Sequence, residues 1–302
     1  MKRYIIFWFI LLTFLLPQRL FSQTSAFKLP CGVFYELNVS GDFEVQILPS
    51  DSSSVSISVN PAFKDYVFID ESEGVLSLSF AEQEMSAEKR RELKSLSPKD
   101  LVFKAIVNAS APLSSVSLED NTCLTLCRDV ADSSFISIRA SDNASVKLDT
   151  LNSSKVLLDF SKKASASLFV AAESIALNEG GSAKVSLNYS CENCEFNLGA
   201  NSSLEAVGLS SDLSVSSRGT SRLNLAGKSL SSRFDISGSS SVDALNMECV
   251  DAEVKMSSLS SLKLFCRDNL QLDLSSGSSL GFKGSPRIEI IQVKASNISP
   301  LQ

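Results

Sequence analysis

The 302-residue chain contains no histidine, and this absence excludes catalysis by a histidine acid or base and by a Ser–His–Asp triad. The chain also lacks a glycine-rich phosphate loop, a Gly-x-Ser-x-Gly elbow and a calcium-binding loop motif. Zinc at the Cys191-x-x-Cys194 pair would need two further ligands, and the chain has no second pair of this kind. We therefore expect no metal ion and no other cofactor.

Cysteine is present but follows no clear pairing pattern, because the chain has seven of them. No βαβ pattern surrounds Cys191 and Cys194, so a thioredoxin-type redox role is not expected. Their spacing indicates either a local disulfide across a turn or two unpaired thiols. In an exported chain the remaining cysteines could also form disulfides, and the sequence leaves their pairing open.

Long hydrophobic runs are also missing, apart from residues 4–16, which contain the single tryptophan, Trp8. This run is too short to cross a bilayer, which takes about 20 apolar residues. It follows two basic residues and leads into a polar stretch, which is the pattern of a secretory signal peptide. We predict a signal peptide over residues 1–22, cleaved after Ser22, and a mature protein exported through the inner membrane. It would be periplasmic, at the cell surface or extracellular, without an integral membrane span.

Positive charge is scarce in the mature chain. Removing Lys2, Arg3 and Arg19 from the 28 basic residues leaves 25 against 34 acidic residues, a net charge of −9. This balance argues against nucleic acid or an anionic membrane as a main partner. Hydrophobic residues make up 44% of the chain, which is enough to bury a large core, so disorder is not expected despite the abundant serine.

A three-residue pattern recurs along the chain from about Ser114 onward. It consists of an apolar residue, any residue and a second apolar residue. The first members of these pairs follow one another at intervals of 22, 20, 19, 19, 19, 19, 20 and 18 residues. The pairs are Leu124/Leu126, Val146/Leu148, Ala166/Leu168, Val185/Leu187, Leu204/Ala206, Leu223/Leu225, Val242/Ala244, Leu262/Leu264 and Leu280/Phe282. Such a regular period over nine units predicts an internal structural repeat of about nineteen residues.

A second apolar pair lies before many of these pairs. Its two members stand eight and six residues before the first member of the pair that follows. The six examples are Val116/Leu118, Leu158/Phe160, Phe196/Leu198, Phe234/Ile236, Val254/Met256 and Leu272/Leu274. Each repeat thus carries two segments with the period of a β-strand, joined by polar turns such as residues 237–241. One repeat cannot bury its own apolar pairs, but stacked repeats enclose a continuous interior. We predict an all-β fold, a parallel β-solenoid, with a β-sandwich as the second choice because a sandwich needs no fixed coil length.

The repeats divide the mature chain into three parts. Residues 23–112 form a β-rich N-terminal region, with strands predicted at about 34–39, 42–48, 54–59, 66–70 and 75–80 and one short helical insertion near 84–96. Residues 113–286 form the solenoid. Residues 287–302 are predicted to be a C-terminal cap, because the end coils of a solenoid expose unpaired strand edges.

Several phrases of the sequence resemble a known family, the head GIN domain. They are residues 34–47, the stretch from Tyr66-Val67 to Leu76-Ser77-Leu78, the repeated Ser-Gly-Ser turns, and the closing phrase of residues 276–286 with Phe282-Lys283-Gly284-Ser285-Pro286. The resemblance covers nearly the whole mature chain. It implies a single-stranded right-handed β-helix and a putative auto-transporter adhesin of unknown function, common in Bacteroidetes-type bacteria. Two features differ from the family pattern, namely the charged insertion near 84–99 and turns such as residues 161–165.

One outward patch is a candidate for chemistry. Asp235, Lys255 and Asp273 precede the turn in successive repeats, and Asp243 and Lys263 follow it. Stacking would place Lys255 between two carboxylates, with rungs about 4.8 Å apart, and such a lysine could act as a base in a polysaccharide lyase or hydrolase. A salt-bridge ladder that keeps the face soluble is the preferred interpretation, because the acids alternate with lysine and do not converge.

The sequence therefore predicts a protein that is not an enzyme. We expect an exported adhesin or scaffold module that binds a glycan or another envelope protein. Exposed aromatic residues, which sugar sites usually contain, are scarce, because most phenylalanines of the repeats fall at inward positions. The alternatives are a polysaccharide lyase or hydrolase on a β-helix and a structural subunit that self-associates end to end.

Overall fold

The computed structural model describes residues 25–96, 103–126 and 131–301. The predicted signal peptide, residues 1–22, lies outside the described residues. No helix among the described residues is long and apolar enough to cross a membrane.

The described residues are mostly in strands. In the N-terminal part the strands are β1 (Ser25–Pro30), β2 (Glu36–Ser40), β3 (Glu44–Pro49), β4 (Ser54–Val59), β5 (Val67–Ser72), β6 (Val75–Phe80) and β7 (Phe103–Ala109). Helix α1 (Ala87–Ser95) and two 3-10 turns, Pro61–Tyr66 and Glu82–Glu84, lie among them. The helix predicted near 84–96 is α1, and it begins where the Ser86 hydroxyl accepts the N–H of Lys89.

The repeat region contains β8 to β22. They are β8 (Ser115–Leu118), β9 (Cys123–Leu126), β10 (Phe135–Ala140), β11 (Ser145–Leu148), β12 (Leu151–Asn152), β13 (Lys155–Phe160), β14 (Ser165–Glu179), β15 (Lys184–Leu198), β16 (Ser203–Ser217), β17 (Arg222–Ile236), β18 (Ser241–Met256), β19 (Ser261–Leu274), β20 (Ser279–Lys283), β21 (Arg287–Val293) and β22 (Asn297–Pro300). From β14 to β19 the two apolar segments of a coil lie in one continuous strand. From β14 to β17 most of the residues between the two segments also pair with their equivalents in the next coil.

Parallel pairing in a constant register confirms the predicted β-solenoid. Ser165 pairs with Lys184, Lys184 with Ser203, Ser203 with Arg222, and Arg222 with Ser241. Each step is nineteen residues, as the spacing of the apolar pairs predicts. The next two steps, to Ser261 and Ser279, are twenty and eighteen residues.

The predicted apolar pairs form the interior of this stack. All of their members are buried except Phe282, which is partly buried. In a strand, neighbouring side chains point to opposite faces, so a pair separated by one residue shares one face. The residue between the two members is polar and faces outward in every pair except Leu280/Phe282, where it is the buried Gly281.

Five of the described turns that close the coils share one side-chain hydrogen bond. A buried hydroxyl at the last turn position donates to the carbonyl three residues earlier, as Ser240 does to Ser237 O at 2.8 Å and Ser202 to Gly199 O at 2.9 Å. Two residues before that hydroxyl the backbone has positive φ, 76° at Gly238 and 54° at Ala200. The turn at 161–165, which departs from the family pattern, keeps this conformation with Lys162 at φ 57°.

The N-terminal part continues the parallel stack and then adds antiparallel strands. β2 and β3 lie parallel on β8 and β9, and they carry β6 and β7 on their other side. Beyond these, β4 pairs antiparallel with β7, β1 with β4 and β5 with β6. Phe43, Phe63 and Phe80 pack around Phe103 with ring centroids 4.5–6.5 Å apart, which closes this end with an apolar cluster.

At the other end, the predicted cap is one more coil. β21 pairs parallel with β19, and β22 pairs parallel with β20. The apolar residues Ile288 and Ile290 stand in register with Leu270 and Leu272 of the coil below, but they are exposed.

Candidate functional site

A concave groove of about 720 Å³ runs along one face of the solenoid. It crosses the C-terminal halves of β14 to β19 and then β21. Two outward columns line it. Their members are Ser174, Asn193, Asp212, Ser231, Asp251, Asn269 and Arg287 in the first, and Ala176, Glu195, Ser214, Arg233, Glu253, Gln271 and Glu289 in the second. Because register partners stack directly above one another, the groove displays seven rungs of mostly polar groups about 4.8 Å apart.

Hydrogen bonds and one ion pair join neighbouring rungs of this face. Arg233 Nε donates to Glu253 Oε2 at 3.0 Å, and its Nη2 lies 2.9 Å from the same oxygen. Asn269 Nδ2 donates to Asp251 Oδ1 at 2.6 Å. Such bonds orient the exposed groups before any ligand arrives, which lowers the entropic cost of binding.

The two columns carry more negative than positive charge. The acids are Glu195, Asp212, Asp251, Glu253 and Glu289, against only Arg233 and Arg287. The columns contain no aromatic residue, so hydrogen bonding is the main interaction that the groove offers. An anionic ligand would be repelled.

Three of the five predicted site residues lie beside this groove. Asp235, Lys255 and Asp273 are register partners in successive coils, and each stands two residues after a groove residue on the same outward face. They form a third column along the groove. Neither carboxylate is within 4.0 Å of the Lys255 ammonium in the described chain.

The other two predicted residues lie on the opposite side of the turn. Asp243 and Lys263 are register partners, and Asp243 Oδ1 accepts the N–H of Leu245 at 3.2 Å. Neither residue lines the groove. The structure thus divides the predicted patch into two columns, of which only the Asp235 column borders a concave surface.

Sequence reasoning missed a carboxyl group inside the solenoid. Glu179 faces the interior in register with Phe160 and Leu198, is 4% exposed, and neither of its carboxyl oxygens has a hydrogen-bond partner. Burial raises the pKa of Glu179 to about 9, because the charged form is poorly solvated there. The carboxyl is therefore protonated at neutral pH. A signal was present, since Leu177/Glu179 stands where an apolar pair is expected before Val185.

Tyr189 is a second polar residue inside the solenoid. Its ring packs edge-on against Phe196 with centroids 5.4 Å apart, and its hydroxyl is buried. Gly208 stands next to Tyr189 in the following coil, and a Cβ at Gly208 would collide with the Tyr189 backbone and ring. Burial raises the pKa of Tyr189 to about 12. The glycine is therefore required by the close approach of the Tyr189 backbone and ring.

The corner between the two segments of a coil holds most of the described cysteines. Cys191 and Cys194 form a disulfide with their Cα atoms 6.3 Å apart, the first of the two possibilities that the spacing left open. Cys249 and Cys266 are buried and unpaired. No group of three or more Cys, Asp or Glu side chains in the described part of the chain is placed to hold a metal ion.

The structure is similar to solved structures from the genus Parabacteroides. A putative lipid binding protein of Parabacteroides distasonis aligns with a TM-score of 0.51 at 12% identity, covering 92% of this chain and 97% of that chain. A putative adhesin of Parabacteroides merdae aligns with a TM-score of 0.49 at 16% identity, covering 93% and 97%. At such identities the likeness concerns the fold alone. No curated protein matches the sequence significantly.

The sequence also matches a family model, over residues 33–211 and again over 171–286. The family is described as a putative auto-transporter adhesin, head GIN domain. Together the two matches cover most of the chain, which confirms the resemblance predicted from the sequence. The chain belongs to the head GIN domain family.

Proposed function

We propose that the protein is an exported, non-catalytic binding module of the bacterial envelope and that its groove holds a linear glycan. The observation that carries this proposal is the row of seven in-register rungs with amide, hydroxyl and carboxylate groups. Membership of a family described as adhesins supports binding as the activity. Location in the periplasm or at the cell surface belongs to the same proposal.

The chemistry of the groove favours a glycan over a protein partner. The lining has no aromatic residue, so it lacks the buried aromatic anchors that usually dominate protein interfaces. For the same reason a glycan in this groove would be held by hydrogen bonds and not by stacking on an aromatic ring. Carboxylates, amides and hydroxyls instead suit the hydroxyl groups of sugars. The excess of acids favours a neutral or amine-bearing glycan over one that carries uronic acids.

A glycan array probed with residues 23–302 tests the proposal. The decisive comparison uses two double variants that each remove one acid and one base from adjacent coils. Arg233→Ala with Glu253→Ala changes the groove, whereas Asp243→Ala with Lys263→Ala changes a register pair outside it. We expect the groove variant to lose binding at least tenfold and the control variant to keep it. Equal binding by both variants, or capture of an envelope protein without any glycan binding, would contradict the proposal.

An enzyme is the second candidate, because Asp235, Lys255 and Asp273 form one column beside the groove. A lyase or hydrolase working there would lose turnover in Lys255→Ala and in Asp273→Asn. A reducing-sugar assay, with absorbance of unsaturated products as a lyase readout, separates the two candidates on any glycan that the array identifies. Binding without turnover supports the non-catalytic module.

A further inference from the structure

Two buried cysteines face each other across adjacent coils of the solenoid. Cys249 in β18 and Cys266 in β19 are Cα partners in the parallel register. Both side chains are 0% exposed and point into the same interior corner. Paired strands lie about 4.8 Å apart, and disulfides join Cα atoms that are roughly 4.4–6.8 Å apart. The backbone separation of this pair therefore suits a covalent bond.

The backbone around this pair is less regular than elsewhere in the stack. The register between β18 and β19 shifts between Ala244 and Glu248 and again between Cys249 and Asp251. The two cysteines thus lie between two irregularities, where the Cβ atoms are less constrained than in an unbroken ladder. In β14 to β17, by contrast, the corner keeps its register.

We infer that Cys249 and Cys266 form a second disulfide, which joins the β18 and β19 coils at the corner next to the groove. In the structure both thiols are reduced, with Cys266 Sγ 3.1 Å from Asn269 O and Cys249 Sγ 3.9 Å from Met247 O. Cys266 Sγ also lies 3.7 Å from Val250 O. A thiol is a weak hydrogen-bond donor, so little is lost when the two side chains rotate away from these carbonyls to form the disulfide. The side chains of Asp251 and Asn269, which follow the two cysteines, form a hydrogen bond of 2.6 Å on the groove face.

The reaction is oxidation by disulfide exchange with a small-molecule or protein disulfide. One cysteine thiolate attacks a sulfur of the oxidant, forming a mixed disulfide and releasing one oxidant thiolate. The second cysteine thiolate then attacks the first cysteine sulfur, forms the Cys249–Cys266 bond and releases the other oxidant thiolate. Two electrons pass to the oxidant, and its two sulfurs take up the two thiol protons.

The disulfide must form before folding buries the two thiols. Burial raises the pKa of Cys249 to about 11, and burial together with the neighbouring Cys249 raises the pKa of Cys266 to about 12. Thiols with such pKa values contain almost no thiolate at neutral pH, and the thiolate is the reactive species. Exchange in the folded solenoid is therefore slow, and an oxidant present during folding should close the pair.

Peptide mapping of the wild-type chain tests this inference directly. Residues 23–302 are refolded with a mixture of reduced and oxidised glutathione, free thiols are alkylated, and the protein is digested with trypsin without reduction. Cleavage after Arg233, Lys255, Lys263 and Arg267 places Cys249 in peptide 234–255 and Cys266 in peptide 264–267. We expect these two peptides joined by a disulfide, with a mass 2 Da below the sum of the reduced peptides.

The Cys191–Cys194 disulfide is the internal control, because its closure shows that the conditions were oxidising. The inference is overturned if that bond is closed while Cys249 and Cys266 are both fully alkylated, or if either is joined to another cysteine. In a second measurement, Cys266→Ala should lower Tm by several degrees after oxidative refolding and by clearly less when both proteins are refolded with reductant. An equal loss under both conditions would contradict a disulfide.

Discussion

The inside and the groove side of the solenoid are built from alternate residues of the same strand segments, and they follow different rules. On the inside, register partners such as Val215, Phe234, Val254 and Leu272 stay apolar in coil after coil. One residue away on the groove side, the partners change freely between acid, amide, hydroxyl and arginine. The inside therefore specifies the fold, whereas the groove side is available to specify a ligand.

Replacing Phe234 by Asp should disrupt the interior of the solenoid and cause the largest loss of stability. The change removes a fully buried ring and buries an unpaired carboxylate, so we expect a loss above about 4 kcal/mol in the free energy of unfolding, which would leave the chain largely unfolded. Circular dichroism and thermal melting measure it. The control is Ser231→Asn, a polar change on the groove side of the same strand, which should change stability by less than about 0.5 kcal/mol. A folded Phe234→Asp protein would refute the register.

Replacing Glu179 by Leu should stabilise the protein, because Glu179 is an exception to the apolar rule. Its pKa is about 9 in the folded protein against 4.5 as the ordinary value. A raised folded pKa means that the wild-type protein is most stable below pH 4.5 and loses stability as pH rises toward 9. At pH 7 the gain from Leu should be about 3 kcal/mol.

Urea unfolding at pH 5, 7 and 8 checks this sign. The stability difference between Glu179→Leu and the wild type should widen with pH. The control is Glu179→Gln, which keeps the shape of the side chain but cannot titrate, and its stability should be flat where that of the wild type falls. Parallel wild-type and Gln curves would show that Glu179 does not bind a proton on folding.

A methyl group at Gly208 should cost about 1–3 kcal/mol, because it would press on the Tyr189 backbone and ring. Gly180→Ala is the matched control, since a Cβ at Gly180 would have no atom within 4 Å. Thermal melting of the two variants should separate them by several degrees, with only Gly208→Ala destabilised. Equal melting temperatures would mean that the Tyr189 backbone and ring can both move away at little cost.

Removing the groove ion pair should affect stability least. The side chains of Arg233 and Glu253 are 68% and 47% exposed, and solvent-exposed pairs contribute about 0–1 kcal/mol. Urea unfolding of the Arg233→Ala, Glu253→Ala double variant should lie within about 1 kcal/mol of the wild type. A larger loss would place this pair among the determinants of the fold.

The sequence predicted the inside well, because burial imposes a period that can be read from apolar residues alone. Glu179 and Ser217 stand where the second apolar pairs before Val185 and Leu223 should end with apolar residues, but these departures from the period were not used to predict buried polar groups. The groove was not predicted, because its concavity arises from the path of the backbone and not from residue type. The Cys249–Cys266 contact was also hidden, because the register shifts around it alter the spacing that relates one coil to the next.

Affinity as a function of glycan length tests the groove most directly. Seven rungs at about 4.8 Å spacing extend over roughly 29 Å, so a ligand lying along them should bind more tightly with each added sugar until it fills the groove. Isothermal titration with an oligosaccharide series of the glycan that the array identifies should show Kd falling and then levelling off, with the Arg233→Ala, Glu253→Ala variant weaker at every length. A Kd independent of length, with that variant equal to the wild type, would contradict a ligand held along the rungs.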